Sequence, residues 1–330
     1  MTRESISVVC PCHNEEGNIA RLVEAVATTI GAITPEWELI LVNDGSSDAT
    51  WAAISLASLT DPRVVGIDLS RNFGKEAAMF AGLSHARGDV VVLMDADLQH
   101  PVSLVPEMVD LLRQEGVEQV VGRRTREGDG WLRSALSRMY YRLMGVFMDV
   151  ELRDGVGDFR VLSRRAVDSL LQLRESNRFS KGLFAWIGFE TRTVDYRNVV
   201  RETGRSSWSL RSLFRYGMDG FVSFSDAPLR LSFHIGITAL LLGLAYLAWL
   251  FLSWLLHGVA SPGYLTTIGA VIVFSGVQLA MLGVVGEYIG RIYREVKGRP
   301  VCLTARQIGS GLAPAALDET PSSPTRTEPR

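Results

Sequence analysis

The sequence predicts an α/β fold, a doubly wound and mostly parallel sheet, followed by an amphipathic interface helix and two transmembrane helices. Three observations predict it. Over the first 125 residues short apolar runs alternate with helical patterns. Those runs are almost continuously apolar, as strands covered on both faces must be. Two later stretches, Leu231 to Leu256 and Leu265 to about Ile289, carry hardly a polar group.

Taken in order, the strand-like runs are ISVVCP (6–11), WELILVN (37–43), VVGIDLS (64–70), VVVLM (90–94) and EQVVG (118–122). Helical segments fill the intervals at about 15–30, 48–59, 75–86 and 103–114, and there is no internal repeat. Further on, SLRSLFRYGMDGFVSF (209–224) places Leu210, Leu213, Phe214, Met218 and Phe221 roughly on one face with arginines interleaved, which suits a helix lying among lipid headgroups. Each of the two apolar stretches is long enough to cross a hydrocarbon layer of ~30 Å at ~1.5 Å per residue. Core helices of soluble proteins seldom lack a polar face for so long. The connector HGVASPG has no Lys or Arg, whereas Arg205, Arg211, Arg215 and Arg230 precede the first stretch and Arg291, Arg294, Lys297 and Arg299 follow the second. The positive-inside rule therefore predicts a multi-pass protein of the cell (inner) membrane with its first domain and both termini cytoplasmic. The expected divisions are a cytoplasmic domain (1–208), the amphipathic segment (209–228), the transmembrane hairpin (229–290), a post-membrane segment (291–309) and a tail rich in Pro, Ser and Thr (310–330) that reads as disordered.

With 330 residues, 47% of them apolar, the chain can bury a sizeable core, and its formal net charge of −2 argues against nucleic acid as the main partner. Cys10, Cys12 and Cys302 suggest neither a disulfide framework nor, without a His cluster, a zinc site, and they point to a reducing compartment. MTRESISVV runs straight into a strand pattern without the apolar stretch of a signal peptide, so the first domain is expected to stay where it is made.

In doubly wound sheets ligands bind beyond the carboxyl ends of the strands. Those ends carry His13, Asn14 and Glu15; Asn43, Asp44 and Gly45; Arg71, Asn72, Gly74 and Lys75; and Asp95, Asp97 and Gln99. Each set alone reads equally as a helix cap or a turn; four sets on one edge point to a site. Asp95 and Asp97 in VVVLMDADLQHP raise a sharper question, because two neighbouring carboxylates at the end of a buried strand repel each other unless a cation meets them. No G-x-G-x-x-G follows the first strand and no G-x-x-x-x-G-K-[ST] occurs, so neither a dinucleotide cradle nor a P-loop is present. Carboxylates suit ribose hydroxyls and the N–H of a base. Asp95 and Asp97 with the Gln99 carbonyl offer the hard oxygens that Mg²⁺ or Mn²⁺ prefers, and such an ion would complete its shell with diphosphate oxygens. The ligand so described is a nucleoside diphosphate joined to a group that can leave it.

The chain resembles the family 2 glycosyltransferases of the GT-A fold, and within them the polyprenyl-phosphate glycosyltransferases, a group with dolichol-phosphate mannose synthase and the bacterial undecaprenyl-phosphate glucosyltransferases. The resemblance runs over about residues 5–302 through VVCPCHNEEGNI, LVNDGSSDAT, LSRNFGKEAAM, LMDADLQHP, VVGRR, GVGDFRVLSR, a shortened R-x-x-G-x-S stretch at Arg201 to Ser206, and GEYIGRIYREVKGRP. It implies that Pro11, Asn14, Glu15 and Asp44 hold the nucleoside, with Val42 near the base and Lys75 near the donor. It implies that Asp95, Asp97 and Gln99 hold the metal and diphosphate, and that Arg123, Arg133, Ser137 and Arg201 contact donor or acceptor phosphates. For each arginine a surface ion pair is the plain alternative. Where related enzymes often carry Lys six residues after that last Arg, this chain has Ser207, and Arg205 is the candidate replacement.

The implied reaction is metal-dependent, inverting transfer of one sugar from a UDP- or GDP-linked donor, UDP-glucose first and GDP-mannose next, to polyprenyl (undecaprenyl or decaprenyl) phosphate among membrane lipids. Asp97 then acts in catalysis through the metal, and Asp158 is the candidate base. A phosphate monoester with a second pKa of about 6 hardly needs one, so positioning the acceptor or an arginine is the alternative role for Asp158. The resemblance also implies a homo-oligomer. Glu287 is spaced to pair with Arg291 one turn later. Two rivals remain: a processive polysaccharide synthase, against which none of the six glutamines begins a Q-x-x-R-W motif, and a non-catalytic sensor of nucleotide-sugars.

Overall fold

The computed structural model describes residues 4–125, 156–173, 175, 178–196, 227–257 and 263–312. Among these, strands β1 (Ile6–Cys12), β2 (Trp37–Asn43), β3 (Val64–Leu69), β4 (Val90–Leu93), β5 (Gln119–Arg124), β6 (Val156–Ser163), β7 (Thr191–Tyr196) and β8 (Thr304–Ile308) form one sheet in the order β7-β5-β6-β4-β1-β2-β3-β8. β1 runs parallel to β2 and β4, β2 to β3, and β5 to β7, whereas β6 lies antiparallel between β4 and β5. The fold is the expected GT-A-like, mostly parallel α/β sheet.

The apolar strands are covered on both sides, and the pleat sorts their side chains into two layers. Val8, Leu39, Leu41, Val90 and Val92 join α1 (Ile19–Gly31) and α4 (Val105–Glu115) in one core. Val9, Ile40, Val42, Val91 and Leu93 join α3 (Lys75–His85), α5 (Arg164–Gln172) and α6 (Ser180–Trp186) in the other. α1 buries Ile19, Leu22, Val26 and Ile30, one stripe at helical spacing. At about 1.5–3 kcal/mol for each fully buried aliphatic side chain, such stripes fix which face of each helix meets the sheet. α3 comes closest: a Cβ at Gly82 would stand 2.3 Å from Val9 Cγ1, so only glycine lets this helix settle on β1. α2 (Thr50–Thr60) completes the layers beside β3.

α7 (Ala227–His257) and α8 (Tyr264–Val296) contain spans of 29 and 28 residues with mean hydropathy 2.2 and 2.0, long and apolar enough to cross a membrane. Leucines, tryptophans and phenylalanines lie exposed along them. Glu287 and Arg291 pair as their spacing predicts, Arg291 Nε standing 3.2 Å from Glu287 Oε1. The amphipathic segment 209–224, most of the connector between the two helices, and the tail from 313 lie outside the described residues.

Residues 304–308, read from the sequence as part of a post-membrane segment, return to the sheet. β8 pairs antiparallel with β3, Gly66 opposite Ile308 and Asp68 opposite Arg306. Arg306 Nε donates to the buried Asp68 carboxylate at 2.9 Å, and Asp68 accepts Asn43 Nδ2 at 2.7 Å. Just beyond β8, Leu312 donates its N–H at 2.9 Å to Glu38 of β2, which is 2% exposed and also accepts Ser7 Oγ–H at 2.6 Å. These charge-assisted bonds tie the chain that leaves α8 to the strands of the sheet.

Candidate active site

The carboxyl ends of β1 to β4 open on a pocket of about 320 Å³ lined by Pro11, Cys12, His13, Glu15, Asp44, Asn72, Gly74, Lys75, Ala78, Asp95, Ala96 and Asp97. Six of the residues expected to bind donor or metal (Pro11, Glu15, Asp44, Lys75, Asp95 and Asp97) therefore meet in one place.

Asp44 shapes the rim. It is 3% exposed, and its two oxygens accept the backbone N–H groups of Phe73 at 2.7 Å and Gly74 at 2.9 Å. This carboxylate thus holds the loop that leads from β3 into α3 and sets where Lys75 starts. His13 Nδ1 lies 2.9 Å from the Asp44 carbonyl, which can only accept, so this nitrogen carries the proton. Gly45 adopts φ +58° and a Cβ there would stand 2.3 Å from the Asn72 nitrogen, so glycine is required where the two loops touch. Asn14, also left-handed at φ 57°, accepts the Ser47 N–H at 2.9 Å beside the pocket.

The acidic turn follows β4. Leu98 sits at φ 58°, an uncommon conformation for a branched residue, and Asp97 Oδ1 accepts the Gln99 N–H at 3.2 Å. The Asp95 N–H donates to His100 Nδ1 at 3.2 Å, so His100 is the neutral Nε2-protonated tautomer. Burial pushes its pKa down, in keeping with that role. His100 is stacked on Phe159, with ring centroids 5.0 Å apart, and meets the edge of Tyr196 at 6.0 Å. Burial and then Asp95 push the Tyr196 phenol up to about 12, so it stays protonated.

The antiparallel course of β6 delivers the remaining acid. Because β6 runs against β4, its beginning reaches the edge where the parallel strands end. Continuing the register of Leu93 opposite Arg160 sets Asp158 across from Asp95. Two carboxylates directly opposite repel. Lys75 Nζ answers them, 2.6 Å from Asp95 Oδ1 and 2.7 Å from Asp158 Oδ2. Burial disfavours a charged Asp158, but Lys75, Lys181 and Arg160 outweigh it and hold the carboxyl well below the usual carboxylate range. Burial works against the Lys75 charge too, and Asp158 and Asp95 more than reverse it, raising its pKa. Asp158 Oδ1 is buried with no hydrogen-bond partner among the described residues. The cation expected beside the DAD carboxylates is thus supplied, for Asp95, by the protein itself.

Other expected residues lie elsewhere. Val42 is fully buried in the core with Val9 and does not line the pocket. Arg123, half exposed at the end of β5, makes a two-bonded pair with Asp195, Nε to Oδ1 at 2.6 Å and Nη2 to Oδ2 at 2.8 Å, the ion pair named above as its plain alternative. Arg133, Ser137, Arg201 and Arg205 lie outside the described residues. Lys181, Arg160 and His100 were not singled out from the sequence. His100 follows the DADLQ turn and was open to notice; Lys181 has no local signal, since α6 brings it to Asp158 from across the fold. Cys10 and Cys12 are buried, and burial pushes both thiols up, which leaves them protonated and unreactive.

The profile of Glycosyl transferase family 2 matches residues 7–171, and that of the GtrB C-terminal hairpin matches residues 227–292. A putative glycosyltransferase, CsbB, of Bacillus subtilis (strain 168) is 50% identical over 300 residues, covering 91% of each chain. The SfII prophage-derived bactoprenol glucosyl transferase of Shigella flexneri is 38% identical over 296 residues, covering 89% of this chain and 96% of its own. Among solved structures, mannosyl-3-phosphoglycerate synthase from Rubrobacter xylanophilus matches with TM-score 0.46 and 20% identity over 66% of this chain and 71% of its own. With its acidic strand-edge pocket and its apolar C-terminal helix pair, the chain belongs to glycosyl transferase family 2.

Proposed function

We propose that the protein transfers a single sugar, glucose from UDP-glucose in the first instance, to the phosphate of a polyprenyl lipid at the cytoplasmic face of the membrane. One observation carries the reading: a carboxylate-lined pocket at the strand edge lies on the same sheet that β8, arriving from the apolar helix pair, completes. That return supports a hairpin whose two ends both face the catalytic domain, and the Arg and Lys residues flanking it support a cytoplasmic domain. The bactoprenol glucosyl transferase relative supports the acceptor and the sugar.

A divalent metal fits the residues. The Lys75 ammonium already stands against Asp95 as a cation, and Asp97 faces the same pocket. Asp95, Asp97 and Gln99 would hold the metal, and when bound it would supply Lewis-acid stabilisation of the departing diphosphate. Asp44 positions the loop that begins α3, and Lys75 supplies positive charge at the edge where the donor diphosphate and the lipid phosphate converge. Asp158 is paired with Lys75 and held well below the usual carboxylate range, which makes it a weak base and favours a role in positioning Lys75; a dianionic phosphate, with its second pKa of about 6, attacks without a base.

The test is incubation of the purified full-length protein with labelled UDP-glucose, GDP-mannose or UDP-N-acetylglucosamine and undecaprenyl phosphate. A lipid-linked monosaccharide is expected, lost on chelation and in the Asp95→Ala/Asp97→Ala double variant. A polymer would point to a processive synthase, and binding without turnover to a sensor.

A further inference from the structure

We propose that Lys75 is a placeholder cation that occupies Asp95 until a divalent ion arrives with the nucleotide, and then withdraws onto Asp158. The inference rests on the metal reading of Asp95 and Asp97 given above and deepens it.

Three features carry it. Lys75 Nζ is shared almost evenly, 2.6 Å from Asp95 Oδ1 and 2.7 Å from Asp158 Oδ2. It therefore neutralises the carboxylate that a metal must have while keeping hold of a second one. Asp158 Oδ1, buried and without a hydrogen-bond partner among the described residues, is a vacant acceptor on the carboxylate that Lys75 already touches. An ammonium has three donors, so the bond given up at Asp95 is replaced at Asp158. Finally, only the side chain has to move. The Asp44 carboxylate pins the backbone at Phe73 and Gly74, while the Lys75 side chain, on four rotatable carbons, keeps 38% of its surface exposed to the pocket.

A metal entering alone must displace an ammonium tethered to the site. A nucleoside diphosphate changes the balance, because its oxygens complete the shell of the metal and its negative charge offsets the crowding of two cations once Lys75 has moved onto Asp158. Metal and nucleotide then strengthen each other's binding, and by linkage they do so equally. Free metal is bound poorly, and the site charges itself only when there is a donor to activate.

The experiment titrates the full-length protein in detergent with Mn²⁺, following free Mn²⁺ by electron paramagnetic resonance, alone and with UDP or GDP. The parent protein is expected to bind Mn²⁺ weakly alone and more tightly with one of the nucleotides. Lys75→Met is expected to bind Mn²⁺ alone at least ~10-fold more tightly, since a positive charge within bonding distance of the ligand has gone, and to lose most of the nucleotide's effect. Asp158→Asn, which takes away the charged acceptor onto which Lys75 withdraws, is expected to bind Mn²⁺ alone more weakly than the parent. If Lys75→Met does not fold, the Lys75→Met/Asp158→Asn double variant should bind more tightly than Asp158→Asn. Mn²⁺ bound by the parent, but no more tightly once Lys75 is replaced, overturns this inference alone. No Mn²⁺ bound by the parent with either nucleotide overturns the metal reading, and this inference with it.

Discussion

Asp44→Asn separates a residue that shapes the site from one that touches the ligand. The Asp44 carboxylate receives two backbone N–H groups at 2.7 and 2.9 Å while only 3% exposed. Asparagine keeps one accepting oxygen and turns an NH₂ toward the other N–H, so one charge-assisted bond is lost and its donor faces a donor. The cost is about 2–3 kcal/mol, which at ~1.4 kcal/mol per tenfold raises the opening equilibrium of the loop about 30- to 150-fold. Hydrogen exchange followed by mass spectrometry on the full-length protein reads this directly. The peptide covering residues 70–76 should exchange faster by that factor while peptides from β1 and β4 keep their protection. Nucleotide affinity should fall in parallel, because Lys75 begins the helix that the loop introduces. Parent-like exchange in that peptide, with nucleotide binding nevertheless lost, would refute the argument and make Asp44 a direct ligand contact.

Asp158 is depressed below the ordinary carboxylate value of about 3.9, so its stabilising contribution is complete above that pH and is lost as pH falls through the folded-state value; the difference in melting temperature between parent and Asp158→Asn should be flat from about pH 5 to 8 and shrink only below about pH 4. The acid limb of the rate profile should instead follow the lipid phosphate near a pH of about 6, and persist in whatever activity Asp158→Asn retains. Arg306→Ala leaves the buried Asp68 without its guanidinium and should cost about 1–3 kcal/mol, seen as faster protease cleavage between residues 298 and 312. Gly82→Ala forces a methyl to 2.3 Å from Val9 and should lower stability by about 1–3 kcal/mol in thermal unfolding.

The parallel heart of the sheet was legible because β1 to β4 are buried on both faces and write that fact as unbroken apolar runs. Reading only the ends of those runs located the pocket, since a parallel sheet brings every carboxyl end to one edge. β6, β7 and β8 were not legible. GVGDFRVLS mixes glycines and charges, its charged Arg160 packed over the Phe184 ring at 3.5 Å, and TRTVDY and TARQI lie at edges where half or more of the side chains meet water. β8 also finds its partner more than two hundred residues upstream, a pairing no local window contains. The same limit explains the cation at Asp95. Two acids separated by a single residue announce a positive charge, but whether it is an ion or a lysine depends on a strand whose direction the sequence does not display.

β8 also orders events in time. β3 leaves the ribosome some 235 residues ahead of its edge partner, a gap on the order of tens of seconds at typical rates of synthesis. Throughout it β3 shows an unpaired edge and Asp68 lacks the arginine that will neutralise it. Both are satisfied only after the two apolar helices have been made. A chain that stalls within the hairpin keeps a sticky border, so the enzyme's fold is sealed from its own far end, after the lipid-seeking part has had its turn.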